Sequence, residues 1–284
     1  MSRKRLARPV IGLMFHVQNI SSFDAPELRP YATLRRPVEH EQQGIFVAES
    51  EKVVRRLLES KLTVRSAVLS EKWLEVFRPL LEARPEDVAV YLAEKKLLET
   101  LVGFSMFQGI LAVGNVPPPE SLDAVLARLS SPKLLVAVDE LANAENLGAL
   151  VRNCVAFGAQ ALVVGETSSS PYLRRAVRNS MGAIFQLPVV ETPNLAKTLL
   201  DLRSRGVRCI AAHPHSVRTI LSHADFRGDS CIVFGSEGHG ISTAVLDNCV
   251  EAVAIPMPAA VDSLNVGAAA AVFLYEAARQ RGRA

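Results

Sequence analysis

Between residues 134 and 257, six short apolar runs alternate with helical patterns, and this alternation constrains the fold more than any other feature of the chain. The runs are LLVAVDEL (134–141), ALVVGE (161–166), FQLPVVE (185–191), RCIAAH (208–213), CIVFGSE (231–237) and VEAVAIPM (250–257). They are largely continuous in apolar character rather than alternating, the pattern of strands covered on both faces. Helical stretches fall between several of them, notably 146–157 and 194–205. Such an order predicts a parallel sheet flanked by helices, and ligands of such sheets bind beyond the carboxyl ends of the strands.

A second α/β pattern precedes this one. Ile45-Phe46-Val47, TVRSAVLS, DVAVYLA and FQGILAVGNV read as strands. Val53, Val54, Leu57 and Leu58 recur at helical spacing, and EKWLEVFRPLLEA and EKKLLETLVG read as two further helices. Three consecutive prolines in VPPPES (116–121) can continue neither a helix nor a central strand, so the domain boundary falls there. The expected division is an N-terminal arm over 1–40, a small α/β domain over 41–116, a linker over 117–132 and a larger α/β domain over 133–284. The arm carries Arg3, Lys4, Arg5, Arg8, Arg29, Arg35 and Arg36 against three acids. It is either a contact for a polyanion or a solvated tail.

With 284 residues, 49% of them apolar and 21% charged, the chain can bury a sizeable core. A net charge of +3 is compatible with a nucleic-acid partner without requiring one. The four cysteines, Cys154, Cys209, Cys231 and Cys249, form no C-x-x-C pair and are expected as reduced buried thiols of a cytoplasmic protein. No apolar run reaches the roughly 18 residues of a membrane span. His213 and His215 lack the further ligands of a metal site, and none is expected.

Three loops carry the chemistry. NAENLGALVRNCVAFGA (143–159) follows the first strand of the larger domain, with Asn146 placed to cap a helix and Arg152 projecting from it. VFGSEGHGIS (233–242) is a glycine-rich turn that matches neither the dinucleotide fingerprint nor the P-loop. IPMPAAVDSLNVGAAAAVFLYEAARQR (255–281) ends a strand and opens an alanine-rich helix at Ser263-Leu264-Asn265.

In this order, at the carboxyl ends of strands of one sheet, these segments closely resemble the SpoU/TrmH family of SPOUT-class RNA ribose 2′-O-methyltransferases. The N-x-G-x-x-x-R motif is met by Asn146, Gly148 and Arg152. G-x-E-G-x-G-[IL] is met by Gly235, Glu237, Gly238, Gly240 and Ile241. The third motif is met by Ile255, Pro256, Met257 and by Ser263, Leu264, Asn265 and Val266. VRNSMGAIFQLPV (177–189) also looks like the family, and residues 42–116 look like its ribosomal-protein-L30e-like domain. Two positions depart from the pattern: Gly267, where many members have serine, and Ala144-Glu145, where many have proline and glycine.

The resemblance implies a C-terminal α/β knot, a trefoil-knotted parallel sheet, that dimerises through the knotted domain with the third-motif helix at the interface. It implies S-adenosylmethionine as cofactor, with backbone at Gly235, Ile255, Met257 and Leu264 in contact with it. Asn146, Arg152, Glu237, Ser263 and Asn265 would complete the catalytic site. Arg152 would act either as the base or as a phosphate clamp that stabilises a developing alkoxide. Glu237 would be either a tie between loops or an alternative base. The RNA, ribosomal or transfer, would be held partly by Arg174, Arg175 and Arg178. A noncatalytic RNA-binding or ribosome-assembly protein on the same fold is the other reading.

Overall fold

The computed structural model describes residues 15–102, 109–216, 218–258 and 260–283. It divides into two compact units, Met1–Asn115 and Val116–Ala284, so the chain parts just before the triple proline.

The first unit carries a five-stranded sheet. Its strands are β1 (Phe15–Asn19), β2 (Ile45–Glu49), β3 (Val64–Leu69), β4 (Val88–Leu92) and β5 (Ile110–Asn115), in the order β1-β4-β3-β5-β2. The β1–β4 and β4–β3 pairs are parallel, and β5 runs antiparallel to both β3 and β2. Helix Glu51–Glu59 buries Val53, Val54, Leu57 and Leu58, the stripe its spacing predicts.

The expected arm differs from what is found. Residues 1–14, with Arg3, Lys4, Arg5 and Arg8, lie outside the described residues. From Phe15 onward the segment belongs to the first unit. β1 joins the sheet edge, and Leu28, Tyr31 and Leu34 are buried in the core. Tyr31 also hydrogen-bonds the Ser66 hydroxyl at 2.7 Å. Partners this distant in sequence leave no local periodicity to read.

The second unit holds β6 (Leu134–Val138), β7 (Ala161–Val164), β8 (Val189–Glu191), β9 (Arg208–Ala212), β10 (Thr219–Ile220), β11 (Ser230–Phe234) and β12 (Glu251–Ala254). All seven are parallel, in the order β10-β12-β9-β11-β6-β7-β8. Every residue of β6, β7 and β11 is buried, as continuous apolar runs require. The run at 185–191 is strand only from Val189. A 3₁₀ turn occupies Ala183–Gln186, and Pro188, with no N–H to give a ladder, comes just before the strand.

The expected linker also packs here. Helix Leu122–Arg128 is capped by Ser121, and its Val125 sits in the core beneath the sheet. Helix Ala144–Ala156 packs against both helix Arg174–Asn179 and the long helix Val266–Gln280. Cys154, Cys209 and Cys231 are buried, Cys249 is half-buried, and all four are free thiols. Among the described residues, no helix is long and apolar enough to cross a membrane.

Candidate active site

The three loops meet where β6, β9, β11 and β12 end. Just after β6, Asp139 is 5% exposed, and its carboxylate accepts the Ser242 N–H at 2.8 Å. Its own N–H donates to Phe234 O at 2.9 Å. Asp139 thus fastens the far end of the glycine loop to the neighbouring strand. Sequence reading absorbed it into the apolar run 134–141; the signal was a carboxylate at a strand's carboxyl end.

The first loop differs from expectation in its cap. Asn143, not Asn146, caps helix Ala144–Ala156, accepting the N–H groups of Glu145 at 2.8 Å and Asn146 at 3.1 Å. Asn146 sits in the first turn, so its side chain is free to reach across the site. Arg152 is correspondingly further along the helix, in its third turn.

The glycine loop closes on itself. Ser236 and Gly240 exchange backbone hydrogen bonds of 2.9 and 3.0 Å, and Gly240 adopts φ +73°. A Cβ on Gly235 would fall 2.1 Å from the Gly240 carbonyl carbon, so this position admits no side chain. The loop holds Glu237 exposed beyond the end of β11.

The third loop supplies Asn265, which caps helix Val266–Gln280 by accepting the Gly267 N–H at 2.9 Å. That bond fixes the amide's orientation, because the oxygen must face the backbone donor. Asn265 Nδ2 is then a donor, and it reaches Asn146 Oδ1 at 3.0 Å. The Asn146 amide is oriented in turn, and its Nδ2 donates to Glu237 Oε1. One residue from each loop therefore forms a single directed chain, Asn265 to Asn146 to Glu237.

Two spaces flank this chain. A cavity of about 540 Å³ is lined by Gly235, Ile255, Met257 and Leu264, the four expected cofactor contacts, and by Glu237, Ser263 and Asn265. Its walls also include His213, His215, His239 and Asp262. The His215 N–H donates to His213 Nδ1 at 3.2 Å. Two carboxylates line this cavity, and among the described residues no lysine or arginine does. An open cleft of about 610 Å³ is lined by Glu145, Asn146, Ala149, Arg152, Asn153 and Asn179. Arg152 therefore lies in the cleft rather than in the cavity, and Asn146 joins the two. Arg174, Arg175 and Arg178 line neither; they lie on helix Arg174–Asn179, whose last residue reaches the cleft. Among the described residues, no group of three or more His, Cys, Asp or Glu is gathered as a metal would need.

Comparison with known proteins places this geometry. The model of the SpoU rRNA Methylase family matches residues 133–275. An uncharacterized tRNA/rRNA methyltransferase of Mycobacterium tuberculosis is 38% identical over 208 residues, 71% of this chain and 63% of that protein. The chain thus spans about 63% of the length of that curated relative. Among solved structures, an RNA 2′-O ribose methyltransferase superposes with a TM-score of 0.75 at 27% identity, over 93% of this chain and 99% of that one. The SpoU methyltransferase AviRb of Streptomyces viridochromogenes gives 0.75 at 26% identity, over 88% and 95%, and has also been solved with the cofactor AdoMet. The chain belongs to the SpoU family of RNA methyltransferases.

Proposed function

We propose that this protein transfers a methyl group from S-adenosylmethionine to a ribose 2′-hydroxyl of a structured RNA, ribosomal RNA ahead of transfer RNA. The directed chain from Asn265 through Asn146 to Glu237 carries this reading, because it brings the three motifs to one point between a cavity and an open cleft.

The cavity suits the cofactor chemically. S-adenosylmethionine bears a sulfonium, an ammonium and one carboxylate, a net positive charge, and no phosphate. Glu237 and Asp262 line the cavity, and no lysine or arginine among the described residues does. Backbone at Gly235, Ile255, Met257 and Leu264 would hold it, and it would supply an electrophilic methyl group. The cleft suits the RNA. Arg152 is exposed there, with no hydrogen bond or ion pair among the described residues. A guanidinium is effectively always protonated, so its role is to clamp a phosphate and stabilise the developing alkoxide rather than to remove a proton. Glu237 accepts the Asn146 amide and serves as the tie between loops.

The same reading gives the parallel sheet the family's trefoil knot; the packing of helix Val266–Gln280 on helix Ala144–Ala156 supports it. It makes the protein a homodimer, supported by Leu264, Val272 and Tyr275, which are 38%, 39% and 51% exposed on or beside that helix. The first unit acts as the L30e-like contact for RNA, together with Arg174, Arg175 and Arg178, and the reaction takes place in the cytoplasm.

Calorimetry with S-adenosylmethionine, followed by transfer of labelled methyl groups to unmodified ribosomal and transfer RNA transcripts, tests the proposal. Saturable binding with label in the ribosomal transcript is expected. Binding of RNA without cofactor binding or transfer would favour the noncatalytic reading instead.

A further inference from the structure

Gly267 stands at one of the positions where the chain departs from its family's pattern, glycine where many members have serine. It is buried in the first turn of helix Val266–Gln280, and its backbone is not left-handed, so the missing side chain answers to space. A Cβ there would fall 3.0 Å from the Ala149 Cβ and 3.2 Å from Asn265 Oδ1. The glycine thus lets helix Ala144–Ala156 come close. Both backbone polar groups of Gly267 are engaged at this contact. Its N–H donates to Asn265 Oδ1 at 2.9 Å, and its carbonyl accepts from Asn153 Nδ2 at 2.7 Å. A helical carbonyl has a second lone pair for such a bond.

Asn146, Ala149 and Asn153 are spaced i, i+3 and i+7 on helix Ala144–Ala156, hence on one face. All three meet the start of helix Val266–Gln280. Asn146 Oδ1 accepts from Asn265 Nδ2 at 3.0 Å, Ala149 faces Gly267, and Asn153 bonds the Gly267 carbonyl. The bond at Asn146 alone would leave the helix free to pivot. A second bond about 10 Å further along the axis removes that freedom. Among the described residues, none from helix Ala144–Ala156 lines the cofactor cavity. The contact therefore sets where Asn146 stands relative to the cavity and leaves the cavity itself unchanged.

On the reading that this site transfers a methyl group, we infer that Asn153, acting through Gly267, is a positioning residue for the reaction. It keeps Asn146 in line with Asn265 and Glu237. Nothing in its own motif marks it out, because it follows Arg152 and its partner lies 114 residues away. Loss of the Asn153 bond lets the helix shift, and small misplacements at a reacting centre are costly in rate. The cofactor pocket, built from other loops, does not feel that shift.

The test uses the full chain, labelled S-adenosylmethionine and a ribosomal RNA transcript. Turnover is expressed per cofactor-binding site, so unfolded protein does not count as lost turnover. Asn153→Ala is expected to lower kcat about tenfold, the scale of one hydrogen bond, with cofactor Kd and RNA KM within twofold of wild type. In an Asn146→Ala background the same change should cost less than twofold, because both act through one chain. Gly267→Ala should match the loss in Asn153→Ala by pushing the helices apart, and adding Ala149→Gly should return most of it. An unchanged kcat in Asn153→Ala would overturn the inference. So would full additivity with Asn146→Ala, an exchange variant that recovers nothing, or a loss confined to cofactor Kd or to RNA KM, the last making Asn153 a direct contact for RNA. Failure of wild type to form any 2′-O-methyl product would overturn the methyltransferase reading and the inference with it, whereas transfer indifferent to Asn153 overturns the inference alone.

Discussion

Asn265 donates its side-chain amide to Oδ1 of Asn146 at 3.0 Å, across 119 residues of sequence. Because the Gly267 N–H fixes which way Asn265 faces, the direction of the whole chain to Glu237 is set by one helix cap.

That direction predicts how Glu237 responds to substitution. The carboxylate is used as an acceptor, and the amide oxygen of Glu237→Gln can still accept from Asn146. Glu237→Gln should therefore keep kcat within a few-fold of wild type. Glu237→Ala breaks a hydrogen bond to a charged group, worth about 1.5–3 kcal/mol, and should weaken cofactor binding about tenfold or more. Steady-state kinetics with cofactor titration distinguishes the cases. Loss of turnover in Glu237→Gln with cofactor affinity intact would make Glu237 the base.

Arg152 lines the cleft and not the cavity, which separates chemistry from cofactor binding. Arg152→Ala should lower kcat by about 10²–10³, the scale for removing one transition-state donor, with cofactor Kd within twofold of wild type. Arg152→Lys should recover little, because the planar fork is lost. Undiminished transfer at saturating cofactor would remove Arg152 from the mechanism.

Gly148 answers to packing rather than to chemistry. A Cβ there would lie 2.5 Å from the Ala176 carbonyl oxygen, forcing helix Ala144–Ala156 away from helix Arg174–Asn179. Gly148→Ala should cost about 1–3 kcal/mol by overpacking. A chemical-denaturation midpoint would register this, and a midpoint equal to wild type would contradict the close contact.

Stability should fall at alkaline pH. Burial raises the thiol of Cys154 and the phenols of Tyr31 and Tyr172, and it pushes Cys249 up to about 12. Cys231 is raised first by its hydrogen bond with Cys209 and then by burial. The folded state keeps these protons while the unfolded chain releases them, near 8.5 for thiols and 10 for phenols. Their contribution is complete below about pH 8.5 and declines as pH rises from there, by up to roughly 1.4 kcal/mol per pH unit for each group. Urea midpoints should be level to pH 8 and drop above pH 9. A level profile to pH 10.5 would contradict this burial.

Much of this was legible because strand burial and loop order are local. β6, β7, β9 and β12 lie within apolar runs, β11 starts one residue ahead of its run at Ser230, and the motif residues stand where those runs end. What escaped was tertiary. NAEN holds two asparagines three apart, either of which could cap, and only the helix start at Ala144 assigns the cap to Asn143. Asp139 gains its role from Ser242, 103 residues away. The place of Phe15–Asn19 depends on pairing with β4. The division of the motif residues between a cavity and a cleft is likewise a property of the assembled loops.

The account rests on where the methyl group goes. After reaction with isotopically labelled S-adenosylmethionine, an unmodified ribosomal RNA transcript is digested to nucleosides, and the labelled product is identified by mass spectrometry. Label on the ribose 2′-oxygen of a single nucleotide is the predicted result. Label on a base atom, or none at saturating cofactor with either ribosomal or transfer RNA, would contradict it.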